Sequence, residues 1–365
     1  MAAGILAAYW VALGWQAWHV GLTFDEPTHM LEGYLYWMNQ PDLFPEDLPP
    51  LTKILDGWIP RALGVPLFPE MEVWRNGWKQ DVAMHLLDRI PAEQIQEVFY
   101  LMRLVRTVFP VLLALLVWHW GRLLHGERAG LLLLVVAVLS PTALAHGALV
   151  KTDLAAAFTY LLFWFCAWRF WREPRGKSSL ALGGSVLAAI LTKLSLLVVW
   201  PLALAVVVVR VARGPRPSRR WLPAAVAAVL LIPYAGMLAA NKSQIRRLTP
   251  QDITDMRDGK EFSKPVLRAA KVFRYVPTPI HLQKAVRSMN VYQRYGAPSY
   301  FLGEARTRGH WAYYPLAWLI KTPIAVQILF VAGLLVAARQ RATVGLVLLF
   351  PAALYMLAAT QSELL

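Results

Sequence analysis

The chain has 365 residues, of which 57% are hydrophobic and only 16% charged, where a soluble globular chain is about a quarter charged. Its 37 basic and 22 acidic residues leave a net charge of +15. In so apolar a chain that excess points to cytoplasmic loops and anionic lipid, and not to a nucleic-acid partner. A single cysteine, Cys166, excludes an intrachain disulfide.

A helix that crosses a bilayer needs about 20 mostly apolar residues. In chain order the candidates are Ala2–Leu22, Val98–Trp120, Ala129–Leu149, Leu154–Trp171, Leu180–Leu191, Leu194–Val211, Leu222–Ala240, Ala312–Ala338 and Val344–Ala359. Leu180 to Val211 is too long for one helix, and Thr192-Lys193 divides it into two that meet at a tip. One long tilted helix with a snorkelling lysine is the alternative. The expected architecture is an all-α polytopic membrane protein with about nine transmembrane helices, read as one membrane domain over 1–365.

Short loops set the orientation. Arg122 and Arg128, then Arg169 to Lys177, then Arg210 to Arg220, then Arg339 and Arg341 fall in four loops on one side. The positive-inside rule makes that side the cytoplasm. Most acids lie in two long segments on the opposite side, 23–97 and 241–310, which are the two large non-cytoplasmic loops. The first helix lacks a basic n-region and a clear cleavage site, so it reads as an anchor.

Several clusters in these loops carry titratable groups. Thr23-Phe24-Asp25-Glu26-Pro27-Thr28-His29 places two carboxylates where the first helix leaves the membrane. A carboxylate in a half-dry site can act as a general base toward a hydroxyl. Thr23 and Glu26 also have capping-box spacing, and Pro27 suits a first helical turn. Glu26 and His29 stand three apart, which puts two potential metal ligands on one helical face. Pro45 to Lys53 offers Glu46, Asp47 and Lys53 in a proline-stiffened loop, either a polar site or a solvated turn. In Lys151-Thr152-Asp153, Asp153 either caps the next helix or faces the same cavity as Asp25. Lys193, Arg103, Arg106, Arg308 and Lys321 lie near non-cytoplasmic helix ends, where cations stabilise a phosphate leaving group or snorkel to headgroups. Tyr300 lies in Gly296–Glu304, a stretch of turn formers and aromatics preceding a span.

Four segments together carry a resemblance: TFDEPTHMLEGYLYW after the first helix, Ser140–Phe158 (SPTALAHGALVKTDLAAAF), the tip Leu191–Ser195 (LTKLS), and Ala297–Pro323 (APSYFLGEARTRGHWAYYPLAWLIKTP). In this order they resemble the phospholipid-carrier-dependent glycosyltransferases, relatives of the dolichyl-phosphate-mannose protein mannosyltransferases. The resemblance implies a GT-C-type bundle with a cavity between the membrane and the outer loops. It implies an inverting transfer of a sugar from a polyprenyl-phosphate carrier to a hydroxyl acceptor on protein, lipid or polysaccharide. The expected place is a bacterial plasma membrane, with the site on its periplasmic or extracellular face.

By position, Asp25 would be the base or acceptor-orienting carboxylate, with Glu26 beside it and Asp153 as the second cavity carboxylate. Lys193, Arg103 and Lys321 would face the lipid phosphate. His29, Glu46, Asp47, Lys53, Tyr300 and Arg308 complete the expected substrate-binding set. No cofactor is required and no residue is assigned as a metal ligand, although the carboxylates are compatible with a divalent cation. No glycine-rich nucleotide motif appears. Two departures stand out. Relatives often read Glu-His-Pro-Pro-Leu where this chain has Glu46-Asp47-Leu48-Pro49-Pro50-Leu51. They also continue beyond the ninth helix, so this chain is expected to lack the family's C-terminal part. A lipid-linked-sugar transporter or flippase and an inactive assembly subunit are the competing readings. Polar motifs near the interface and the lack of an internal repeat weigh against the transporter.

Overall fold

The structure, a computed structural model, describes residues 1–38, 49–68, 73–76, 79–213, 221–240, 245–249, 271, 274–279, 283, 299–306, 310 and 312–339. Glu46, Asp47, Arg308, the basic connector 214–220 and the span expected at Val344–Ala359 lie outside the described residues. The chain forms two compact units, Met1–Ile245 and Arg246–Leu365. Each is described by itself.

The first unit is helical. It begins with α1 (Ala2–His19) and α2 (Glu26–Trp37). Four short helices follow: α3 (Pro50–Asp56), α4 (Ile59–Ala62), α5 (Val73–Asn76) and α6 (Lys79–Leu87). Then come α7 (Ala92–Arg106), α8 (Val108–His125), α9 (Glu127–Val138) and α10 (Pro141–Gly147). The long helix α11 (Asp153–Arg172) leads to α12 (Gly176–Thr192), a 3₁₀ turn (Leu194–Val198), α13 (Val199–Arg213) and α14 (Leu222–Ala240).

Among the described residues, four helices are long and apolar enough to cross a membrane: Ala92–His125, Asp153–Arg172, Leu194–Arg213 and Leu222–Ala240. The count reaches six if each of two bent pairs is one span. Two expected spans are corrected by these bends. Ala129–Leu149 is not one straight helix, because α9 and α10 meet at 57°. Ser140 caps α10 by accepting the Ala143 N–H, and Pro141 opens it, so a new helix starts there. Ala312–Ala338 likewise bends by 113°. The division at Thr192-Lys193 is present: α12 ends at Thr192 and Lys193 is extended at φ −150° and ψ 135°.

The expected span Val98–Trp120 lies inside a longer run. Ala92–His125 has 34 residues, about 51 Å at helical rise, against about 30 Å of hydrocarbon. The excess is α7, the more polar stretch, and it belongs to a second layer. The stretch expected as a long loop, 23–97, is largely helical in its described residues. Its core packs Met30, Leu31, Val82, Leu86, Phe99 and Met102 against one another. Proline explains one element: Pro49 is extended and Pro50 takes the first position of α3, where its missing N–H costs nothing. Glycine explains the fit of α3 on α2. A Cβ on Gly57 would stand 2.3 Å from the Gly33 carbonyl oxygen, so the two backbones touch.

The span layer packs by small residues as well. A Cβ on Gly183 of α12 would meet the Ala228 carbonyl of α14 at 2.4 Å, the close backbone approach that glycine allows between membrane helices. On α1, Tyr9, Leu13 and Ala17 form a core with Ala114, Leu134, Val138 and Ala148. The last turns of α11 and α13 meet away from this core: the Arg210 Nε donates to the Trp171 carbonyl at 2.6 Å.

In the second unit, Ser299–Phe301 pairs antiparallel with Glu304–Arg306 across a two-residue turn. Leu302 (φ 52°) and Gly303 (φ 90°) both take the left-handed conformation this hairpin requires. Tyr313–Lys321 and Ile324–Arg339 follow as α15 and α16.

Candidate functional site

The expected site residues of the first unit gather at one end of the bundle, around a buried ion pair. Glu26 is fully buried at the first turn of α2. Arg103, also buried, comes from the last turn of α7. Its Nε reaches Glu26 Oε1 at 2.9 Å and its Nη2 reaches Oε2 at 2.7 Å. Nη1 donates to the Ala17 and Val20 carbonyls at 3.0 and 2.7 Å, and Nη2 also to Gly21 at 3.0 Å. A guanidinium has five N–H donors, and all five are engaged. Arg103 therefore has no donor left for a lipid phosphate, which corrects the role expected of it.

Glu26 is equally committed. Besides Arg103 it accepts the Val150 N–H at 2.9 Å and both the N–H and hydroxyl of Thr23, at 2.9 and 3.2 Å. The Thr23 contacts follow the capping-box spacing, yet Asp25 and not Thr23 is the residue that precedes α2, so Thr23 does not cap that helix. Burial raises the Glu26 carboxyl, but Arg103 and the two backbone N–H groups outweigh it and hold it below the usual range. With no open edge, Glu26 acts as a clamp, not as a group that can meet a substrate. The clamp joins the end of α1, the start of α2, the end of α7 and the segment 148–152 that leads from α10 into α11.

Two half-exposed carboxylates stand on the segments so joined. Asp25 precedes Glu26 and pairs with Lys151 at 3.0 Å through Oδ2. Asp153 opens α11 and pairs with Lys193 at 2.8 Å through Oδ1. Among the described residues the second oxygen of each carboxylate accepts no hydrogen bond. Because Lys151 and Asp153 are two residues apart, carboxylate and ammonium alternate along the cluster from Asp25 to Lys193. Lys151 belongs in this cluster although sequence reasoning gave it no role of its own.

Behind the pairs lies a second buried set. Arg106 forks onto Asp56 of α3 through Nε and Nη2, and its Nη1 donates to the Lys151 carbonyl at 3.3 Å. Lys53 is buried 3.4 Å from Glu32, which Lys79 reaches at 2.8 Å. Burial raises the Glu32 carboxyl, and Lys53 and Lys79 bring it below its usual value. Lys53 thus sits inside a helical core, not in an open loop. Glu32, Asp56 and Lys79 were not singled out from the sequence. For Glu32 the available signal was helical spacing, since it falls three residues after His29 and seven after Asp25, the residue that precedes α2. His29 is pushed down to about 4, first by burial and then by Arg106, against the opposing pull of Glu32 and Asp25. At neutral pH its ring is uncharged.

Tyr300 and Lys321 belong to the second unit. Tyr300 is exposed on the hairpin, and Lys321 ends α15. Among the described residues, no group of three or more His, Cys, Asp or Glu side chains converges as a metal site. No family model, curated protein or solved structure matches the chain.

Proposed function

We propose that the protein is an inverting glycosyltransferase that moves a sugar from a polyprenyl-phosphate carrier to a hydroxyl acceptor, with Asp25 as the base. The observation that carries this reading is the pair of half-exposed carboxylates, Asp25 and Asp153, each held beside a lysine on segments tied by the Glu26–Arg103 clamp. The resemblance of the four sequence segments supports it, since two of them supply Asp25 and the Lys151–Asp153 pair and a third supplies Lys193.

The chemistry needs a base for the hydroxyl and positive charge for the departing phosphate. The acceptor oxygen bonds to the anomeric carbon from the face opposite the phosphate. The bond from that carbon to the phosphate oxygen breaks with its electron pair, and the polyprenyl phosphate leaves as an anion. The hydroxyl proton passes to the free oxygen of Asp25. Lys151 and Lys193 supply the compensating charge, and Asp153 fixes Lys193. Arg103 and Glu26 hold the backbone on which these groups stand.

The test is transfer in proteoliposomes, with radiolabelled polyprenyl-phosphate sugars, mixed acceptors, and lanes with and without EDTA. Wild type transfers label, and Asp25→Asn loses at least 100-fold, the low end of what a general base contributes. Absence of transfer with every donor, from folded protein that still binds the lipid, overturns the proposal.

A further inference from the structure

We infer that α15, Tyr313–Lys321, lies along the membrane–water boundary as an interfacial helix, so that the chain enters the hydrocarbon only at Ile324. Its partner is the headgroup layer of the bilayer. Sequence alone merges this stretch with the next into one span, Ala312–Ala338.

Geometry separates the two. α15 and Ile324–Val336 differ in direction by 113°, which is 23° past a right angle. Spanning helices tilt by about 20° from the bilayer normal. If α16 crosses at an ordinary tilt, α15 runs close to the membrane plane. Nine residues reach about 14 Å, less than half of the roughly 30 Å of hydrocarbon.

The elbow is a built feature. Thr322 is extended at φ −90° and ψ 129°, which ends α15. The Gln327 side-chain amide then donates to the Leu319 and Thr322 carbonyls at 2.7 and 2.8 Å. These are carbonyls that a helix end leaves unpaired. Gln327 would be costly to expose to lipid tails, and here it locks the bend.

The side chains match the boundary. Tyr313, Tyr314 and Trp318 are the residue types enriched at membrane interfaces, and Lys321 suits the level of lipid phosphates. Leu319 and Ile320 are 51% and 72% exposed, and the exposed apolar surface continues through Ile324 and Ile328. Acyl chains would cover such a surface. A re-entrant arrangement would instead draw Lys321 toward the bilayer centre, where a charge is expensive.

The experiment measures depth. The chain's single cysteine is removed by Cys166→Ser in the full-length protein. Tyr313→Cys, Leu319→Cys, Ile320→Cys, Ile324→Cys, Ile328→Cys and Leu335→Cys are then introduced one at a time. Each is labelled with an environment-sensitive fluorophore and reconstituted in vesicles carrying nitroxide quenchers at shallow or deep positions. The expected result is one shallow depth for 313, 319 and 320, followed by a descent of about 16 Å from 324 to 335. A steady descent beginning at 313 overturns the inference, as does a deep position for the first three. So does quenching of the first three by aqueous iodide alone. Six positions keep the result independent of any one variant that fails to fold.

Discussion

Removing both partners of the Glu26–Arg103 pair should cost less than the two single removals cost in sum. Both side chains are buried, and the Arg103 guanidinium spends all five donors, two of them on Glu26. Glu26→Gln places an amide against those two donors and leaves a buried cation without its counter-charge, a loss of about 3–5 kcal/mol. Arg103→Met leaves the carboxylate with Val150 and Thr23 alone and frees three carbonyls, so a loss of similar size, about 3–5 kcal/mol, is expected. In the double variant neither charge is stranded. Its cost should fall short of the sum of the singles by at least about 2 kcal/mol, within the range of coupling measured for contacting residues. The assay is equilibrium unfolding of all four proteins in mixed detergent micelles. Additivity to within about 0.5 kcal/mol, as for distant sites, would refute the clamp.

Further outcomes follow from packing, titration and the half-exposed ion pairs. Gly57→Ala should destabilise by about 1–3 kcal/mol or more, because its Cβ meets the Gly33 carbonyl at 2.3 Å. Gly184→Ala, with nothing within 4 Å, should stabilise α12 by about 0.5–1 kcal/mol, and thermal unfolding compares the two. His29 is depressed from 6.5 to about 4, so between those values the unfolded chain holds a proton that the folded chain does not. Its contribution is complete above pH 6.5 and is lost as pH falls toward 4. His29→Asn should flatten the stability profile over that window in a pH series of unfolding curves. A profile unchanged by the substitution would contradict the environment formed by Asp25, Glu32, Lys79 and Arg106. Below it, Glu26 and Glu32 act in the same sense. Their lowered values add stability that is present above their ordinary range near 4.5 and lost as pH falls further. Lys193→Ala and Lys151→Ala should each lower glycosyl transfer in the proteoliposome assay. They should change stability by under about 1 kcal/mol, since both ion pairs are partly solvated. An unchanged transfer rate in both would remove the lysines from the proposed chemistry.

Long apolar runs made the membrane class legible in the sequence, because a spanning helix satisfies its backbone internally and its composition needs no tertiary knowledge. The break at Thr192-Lys193 was legible for a related reason: two polar residues interrupt an apolar run. The acidic motif at Asp25-Glu26 was visible too, along with Lys151-Thr152-Asp153. Which of those carboxylates stays open was not. Asp25 and Glu26 are adjacent, yet one is half-exposed beside Lys151 and the other sealed by Arg103, 77 positions away. Burial depends on what packs over a residue, and a linear pattern does not contain that. Nor did it reveal that the described residues of 23–97 build packed helices, since these short helices gain stability from the shared Met30–Phe99 core more than from local propensity. The two bends also needed the fold. An apolar run reads the same straight or folded, and only the Ser140 cap and the Gln327 bridge decide where its carbonyls turn.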